Sequence, residues 1–180
     1  MNSDNKKTNI NCPVVGGILF FLLLALDLYT KNLAYIHLRG AKDLILIPGV
    51  FQLRYLENTG AAFSLLTGKI SFFYVITVIL SAIILWALIK IPKEPRYYPL
   101  FFTLIVLFSG AMGNFFDRIT HRYVIDFLYF SLINFPVFNV ADIYVTCSVV
   151  VLFILFMFVY KDEELTVIFK RKHKDEPSDH

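Results

Sequence analysis

Charge is what this sequence has least of. Only 17% of its 180 residues are Asp, Glu, Lys or Arg, against about 25% in a typical soluble domain. So few charges cannot cover a water-exposed surface. With 57% hydrophobic residues and a mean hydropathy of +0.64, the chain reads as an integral membrane protein, neither soluble nor disordered. Cysteine is scarce as well. Cys12 precedes the first apolar run and Cys147 lies inside the last, so a disulfide-stapled scaffold is excluded and Cys147 reads as a small packing residue. The four histidines, His37, His121, His173 and His180, show no HExxH or other zinc spacing. There is no GxSxG elbow, and Gly68-Lys69 lacks the upstream glycines of a phosphate loop. No metal, nucleotide or other cofactor is implied.

What is present is a set of long apolar runs. A helix crosses a bilayer with about 20 apolar residues. Residues 70–89 and 97–116 supply two such runs without a charge, 140–160 supplies one containing only Asp142, and 14–36 carries Asp27 and Lys31 in its second half. The predicted fold is an all-α membrane protein with four transmembrane helices and a small extracytoplasmic β-containing segment, forming one integral-membrane domain over 1–180. Lys6 and Lys7 ahead of the first run resemble a secretory signal, but Asp27-Leu28-Tyr29-Thr30-Lys31 follows where a small-x-small cleavage site would stand, so the first span reads as uncleaved.

Four spans put both termini on one side. With the termini cytoplasmic, ten basic residues lie inside and seven outside, a bias in favour of that orientation. The linker Lys90-Ile91-Pro92-Lys93-Glu94-Pro95-Arg96 then forms a cytoplasmic hairpin turn. Residues 161–180 form a basic cytoplasmic tail, whose Lys170, Arg171, Lys172 and Lys174 suit anionic lipid headgroups better than nucleic acid. Two segments lie outside, 37–69 and 117–138. In the first, alternation over 51–55 after a Pro48-Gly49 turn predicts a short strand, and 57–63 reads as a turn opening a short helix.

Ionisable side chains in or near spans are costly and need a partner or a function. Here they gather at one face of the membrane, the outer one. Asp27 and Lys31, four positions apart, either pair structurally or contact substrate. Ser109-Gly110-Ala111-Met112-Gly113 allows a neighbouring helix to approach closely. Beyond it Asn114 and Arg118 share a helix face, Arg118 is suited to holding a carbonyl or carboxylate, and Asp117 reads as neutralising a nearby cation. Asp126 stands among aromatics with no basic residue within three positions. It is either an acid facing water or one whose poor solvation favours the neutral form. Asn139 is placed to cap the last helix with Asp142 at its third position, an arrangement that serves as a helix start in its own right, and a helix N-terminus accommodates negative charge. If Asp126 and Asp142, sixteen positions apart, meet at one face, their unlike environments give two acids with separated proton affinities, as general acid–base hydrolysis requires. Two other readings stay open. One is a small proton-coupled transporter or channel subunit using Asp27, Asp126 and Asp142 as a relay; the other is a non-catalytic assembly factor.

Five segments occur in order: Asp27-Leu28-Tyr29-Thr30-Lys31, Glu57-Asn58-Thr59-Gly60-Ala61-Ala62-Phe63-Ser64, Gly113-Asn114-Phe115-Phe116-Asp117-Arg118, Val124-Ile125-Asp126-Phe127 and Phe138-Asn139-Val140-Ala141-Asp142. On these the chain resembles the lipoprotein signal peptidase family, also called signal peptidase II, over nearly all its length; only the polar N-terminal stretch and the basic tail are unmatched. The resemblance implies an aspartic endopeptidase of the bacterial cell membrane, its active site at the outer face, acting among membrane lipids; a monomer is expected. Its implied substrates are prolipoproteins, cut just before a cysteine that carries diacylglycerol. It further implies that Asp126 and Asp142 form the catalytic pair and that Asp27, Lys31, Asn58, Asn114, Arg118 and Asn139 are supporting or substrate-binding positions. Asp117 matches the motif without being a catalytic acid.

Overall fold

The computed structural model of the chain describes residues 11–60 and 70–169. Five α-helices and three strands follow one another as α1 (Cys12–Leu38), β1 (Leu44–Ile47), β2 (Phe51–Asn58), α2 (Ile70–Lys90), α3 (Tyr98–His121), β3 (Val124–Phe130), α4 (Val140–Ile154) and α5 (Asp162–Phe169). Pro13 and Pro99, the second residues of α1 and α3, lie in the first turn, where the missing N–H costs nothing. The stretches Cys12–Leu38, Pro95–His121 and Val140–Val159 are long and apolar enough to cross a membrane, and α2 adds the shorter apolar stretch Tyr74–Lys90. Large side chains such as Phe21, Leu22, Ile83, Val150 and Phe153 point outward from these helices, as they do where lipid is the solvent.

Helix α3 is central and packs against α1, α2 and α4. Two glycines make the approach close enough. A Cβ on Gly110 would lie 2.6 Å from the Ala141 carbonyl oxygen, and one on Gly113 would collide with Asp27 Oδ2. The small-residue run predicted from the sequence therefore serves both neighbours: it seats the start of α4 and leaves room for a buried carboxylate from α1. At the opposite end of the bundle Leu88, Ile91, Leu100, Phe101 and Leu104 build the main apolar core. There Arg96 holds Glu164 of α5 through two hydrogen bonds of 2.7 and 3.0 Å, while Tyr97 stacks on Tyr160 at 5.9 Å.

The strands form one antiparallel sheet in the order β1-β2-β3. Gly49, at φ +72°, closes the turn between β1 and β2, a backbone state that glycine adopts without penalty. A bulge between Leu53 and Leu56 shifts the register so that Leu56 faces Asp126 and Asn58 faces Val124. After β3 the chain turns back and Phe138 pairs with Leu128, accepting from the N–H groups of Phe127 and Leu128 at 3.0 and 2.8 Å and donating to the Leu128 carbonyl. This short backbone ladder carries the start of α4 to the side of β3.

The predicted strand is longer than expected, and β1 and β3 were not anticipated. β1 is uninterrupted Leu-Ile-Leu-Ile, and nearly all of β3 is buried, so neither alternates. Helix α3 runs on to His121, which moves Asp117 and Arg118 out of the expected outer segment and into the last turns of a helix. The region read as a tail begins with the helix α5. Positions 61–63 of the expected short helix, together with Lys6, Lys7, Lys69 and the basic cluster at 170–174, lie outside the described residues.

Gly113→Ala is expected to destabilise the bundle by ~1–3 kcal/mol through overpacking. Gly17→Ala, where a Cβ meets nothing within 4 Å, should cost nothing. Thermal or chemical unfolding of the two variants in detergent micelles checks the contrast.

Candidate active site

The site grows from one buried ammonium. Lys31 Nζ lies 2.8 Å from Asp27 Oδ2, 3.1 Å from Asp117 Oδ2 and 2.9 Å from Asn114 Oδ1. An ammonium has three donors and no acceptor; here it donates to Asn114 Oδ1 and its charge faces both carboxylates. Two carboxylates around one cation leave a net negative charge, which backbone N–H groups offset. Ala141, at the start of α4, donates to Asp27 Oδ1 at 2.8 Å, and Ile125 of β3 donates to Asp117 Oδ2 at 3.1 Å. Asp27, Lys31 and Asp117 are almost completely buried. The cluster thus joins α1, α3, α4 and β3 at a single point.

That ammonium fixes the neighbouring amides. Because Lys31 can only donate, Asn114 must turn its oxygen toward it, and its Nδ2 is left to donate to Asp142 Oδ1 at 2.7 Å. Asn139 Oδ1 accepts from the Asp142 N–H at 3.0 Å while Asp142 Oδ2 accepts from the Asn139 N–H at 3.1 Å, the reciprocal capping box expected from the sequence. Asn139 Nδ2 is therefore directed away from the helix, to Asp126 Oδ1 at 2.7 Å and Asn114 Oδ1 at 3.0 Å. On the sheet, the Gly60 N–H occupies Asn58 Oδ1, so Asn58 Nδ2 faces Asp126 Oδ2 at 2.8 Å. Asn58 and Asp126 are diagonal cross-strand neighbours, which brings such side chains within reach.

Asp126 and Asp142 thereby belong to one hydrogen-bonded system, joined through Asn139 and through Asn114. Both line a cleft of about 660 Å³ with Asn58, Arg118, Phe138, Thr146 and Cys147 among its other walls. Burial, aided by the nearby charge of Asp142, pushes the carboxyl of Asp126 up to about 7, and the amide donors of Asn58 and Asn139 only partly oppose this. Arg118 donates to the Asn114 carbonyl at 3.2 Å and is attracted electrostatically by Asp142 and Asp126.

Of the residues singled out in the sequence, Asn58, Arg118, Asp126 and Asp142 line the cleft. Asn114 and Asn139 stand behind the two acids, and Asp27 and Lys31 stand behind those. Asp27 and Lys31 pair structurally and take no part in the cleft lining. Asp117 does neutralise a cation, namely Lys31. Cys147 corrects the expectation of a packing residue: it is exposed and forms part of the cleft wall. Ile143 and Thr146 line the cleft as well, although neither carries a chemical signal in the sequence beyond the repeat of 142, 143, 146 and 147 at the spacing of one helix face. Tyr74, whose hydroxyl donates to the Arg118 carbonyl, had no sequence signal at all.

Fold and site together define a helical membrane protein with a carboxylate-bearing cleft at one end of its bundle. A model of the signal peptidase (SPase) II family matches residues 19–158. Lipoprotein signal peptidase of Enterococcus faecalis is 43% identical over 141 residues, spanning 78% of this chain and 86% of that protein. Lipoprotein signal peptidase of Francisella tularensis subsp. novicida is 40% identical over 151 residues, spanning 80% and 92%. Two solved structures, both described as bacterial membrane enzymes studied by the in meso method, superpose with TM-scores of 0.68 and 0.66 at 27% and 26% identity. The first covers 81% of this chain and 94% of that one, the second 90% and 94%. The chain belongs to the signal peptidase II family. It is therefore a protease of a bacterial membrane, and the transporter reading loses its support.

Lys31→Met is expected to cost about 3–5 kcal/mol, since it leaves two buried carboxylates without their cation; chemical unfolding in micelles measures this. A second expectation concerns pH. The Asp126 carboxyl holds its proton from the ordinary value of 3.8 up to about 7 in the folded chain, so the folded state binds the extra proton within that window. Stability must then fall as pH rises from about 4 to about 7. Melting curves across that range should show the slope in the wild type and a shallower one in Asp126→Asn.

Proposed function

We propose that the chain is an aspartic endopeptidase that removes the signal peptide from diacylglyceryl-modified prolipoproteins, hydrolysing the bond before the lipidated cysteine. The reading rests on one observation above the rest: two acids from different elements, Asp126 of β3 and Asp142 of α4, line one cleft and are both hydrogen-bonded to Asn139, with Asn114 bridging Asn139 and Asp142, in a chain of this family. Asp126, whose proton is retained toward neutrality, donates to the scissile carbonyl oxygen. Asp142 takes a proton from the attacking water, whose oxygen bonds to the carbonyl carbon. Collapse of the tetrahedral intermediate returns a hydroxyl proton to Asp126 and breaks the C–N bond, and the proton held by Asp142 passes to the leaving amine. Asn58 and Asn139 orient Asp126, Asn114 orients Asp142, and Arg118 supplies positive charge at the cleft wall where the carbonyl of the substrate is bound.

A substrate with two acyl chains stays in the bilayer, and its signal helix spans it, so the bond to be cut lies at the interface. We place the cleft at the outer face, with four spans, both termini cytoplasmic and a single chain as the working unit. The grouping of the buried charges at one end of the bundle, and the excess of basic residues that the sequence assigns to the cytoplasmic side when the termini are placed there, support this orientation. Lateral diffusion then delivers the substrate from lipid into a cleft walled partly by the α4 residues Ile143, Thr146 and Cys147.

Asp126→Asn and Asp142→Asn, each expressed to wild-type levels in membranes, are expected to lower prolipoprotein processing at least ~100-fold, the usual scale of a lost general acid or base. Normal maturation in either variant would refute the pair.

A further inference from the structure

Strand β1 is apolar in a way that a water-exposed strand is not. Leu44, Ile45, Leu46 and Ile47 are all between 51 and 59% exposed. Successive side chains on a strand point to opposite faces, so both faces of this edge are apolar and uncovered. In water such an edge invites aggregation and is ordinarily guarded by charge. Here the nearest charges leave it bare: Asp43, just before the strand, is drawn onto Arg54 of β2 at 2.7 Å. The loop after β3 enlarges the patch. Leu132 and Ile133, 68 and 69% exposed, sit beside the β1–β2 turn, where the Leu132 N–H meets the Val50 carbonyl at 3.4 Å.

We propose that β1, with Leu132 and Ile133, is immersed in the headgroup–acyl boundary of the bilayer leaflet, so that the sheet is held at a fixed depth by lipid. The patch continues the surface of α1 that already faces lipid. Ile36, near the end of that helix, is 60% exposed, and only five residues separate Leu38 from Leu44, too few to carry the strand far into water. Immersion of roughly 5–10 Å is usual for interfacial apolar segments. A peptide added to this edge fits less well as the occupant. β1 is the strand farthest from β3 in the sheet, so a strand laid against it would be about three inter-strand steps of roughly 4.8 Å from the one that carries Asp126. The consequence for the site is positional. β2 and β3 hold Asn58 and Asp126, so lipid contact at β1 sets the height of the acids above the membrane. The inference rests on the chain being a membrane protein and is independent of which residues are catalytic.

Trp86 is the single tryptophan, which allows a direct test. In a Trp86→Phe background, Ile45→Trp and Leu46→Trp report the two faces of β1, and Ile133→Trp reports the loop without altering the strand. Each protein is reconstituted into phosphatidylcholine–phosphatidylglycerol vesicles brominated either near the acyl carbonyl or near the terminal methyl, with circular dichroism as the check on folding. All three reporters should lose emission most strongly to bromine near the carbonyl and resist aqueous iodide. Quenching by iodide with no response to either lipid would overturn the proposal. So would a lipid response from only one face of β1, or shielding that appears only on adding peptide or raising the protein-to-lipid ratio, which would identify a peptide or a second copy of the chain as the occupant.

Discussion

The ammonium of Lys31 determines most of what surrounds it. It is buried, it can only donate, and it lies between two carboxylates and the Asn114 oxygen that accepts from it. An amide between a lysine and an aspartate has only one satisfactory orientation, and Asn114 takes it. Asn139, bound by its capping role, has no freedom either. A chain of donors and acceptors thus starts at a cation in α1 and ends at two carboxylates in different elements, with no hydroxyl rotor whose orientation is open. Buried networks of this kind rigidify when complete and are costly when one member is lost.

Two short-range devices make the network reach across the fold. The bulge in β2 sets a register in which Asn58 is diagonal to Asp126. The pairing of Phe138 with Leu128 lays the start of α4 against β3, so the capping box of a helix opens beside a strand. The N-terminus of α4 is capped twice, once by its own Asn139 and once by Asp27 from α1. The glycines of α3 matter for the same reason: without a Cβ at Gly113 there is space for the second cap.

Local periodicity carried much of this into the sequence. The apolar runs gave the helices to within a few residues at most ends, the four-residue spacing gave the Asp27–Lys31 pair, and Asn139-Val140-Ala141-Asp142 gave a capping box that exists. Asp126 stood out because nothing near it in the chain could neutralise it. What stayed hidden depends on contacts distant in sequence. The partner of Asp117 is 86 positions away, the donors to Asp126 come from β2 and from the start of α4, and nothing local reports either. The edge strands were obscured by the absence of alternation, and the exposure of Cys147 by the similarity between an apolar wall that meets lipid and one that meets a cleft.

The two acids are also bound unevenly around their own perimeters. Asn58 and Asn139 take one lone-pair direction on each oxygen of Asp126, and Asn114 with the Asn139 backbone does the same for Asp142. Both acids also line the cleft, where a reacting molecule meets them beside Arg118. Chemistry launched from there meets a bound peptide carbonyl on a single prochiral side. The two hydroxyls of the sp³ carbon formed in passing would each face a different acid, and a stereogenic alcohol that keeps only one of them should be distinguished from its epimer.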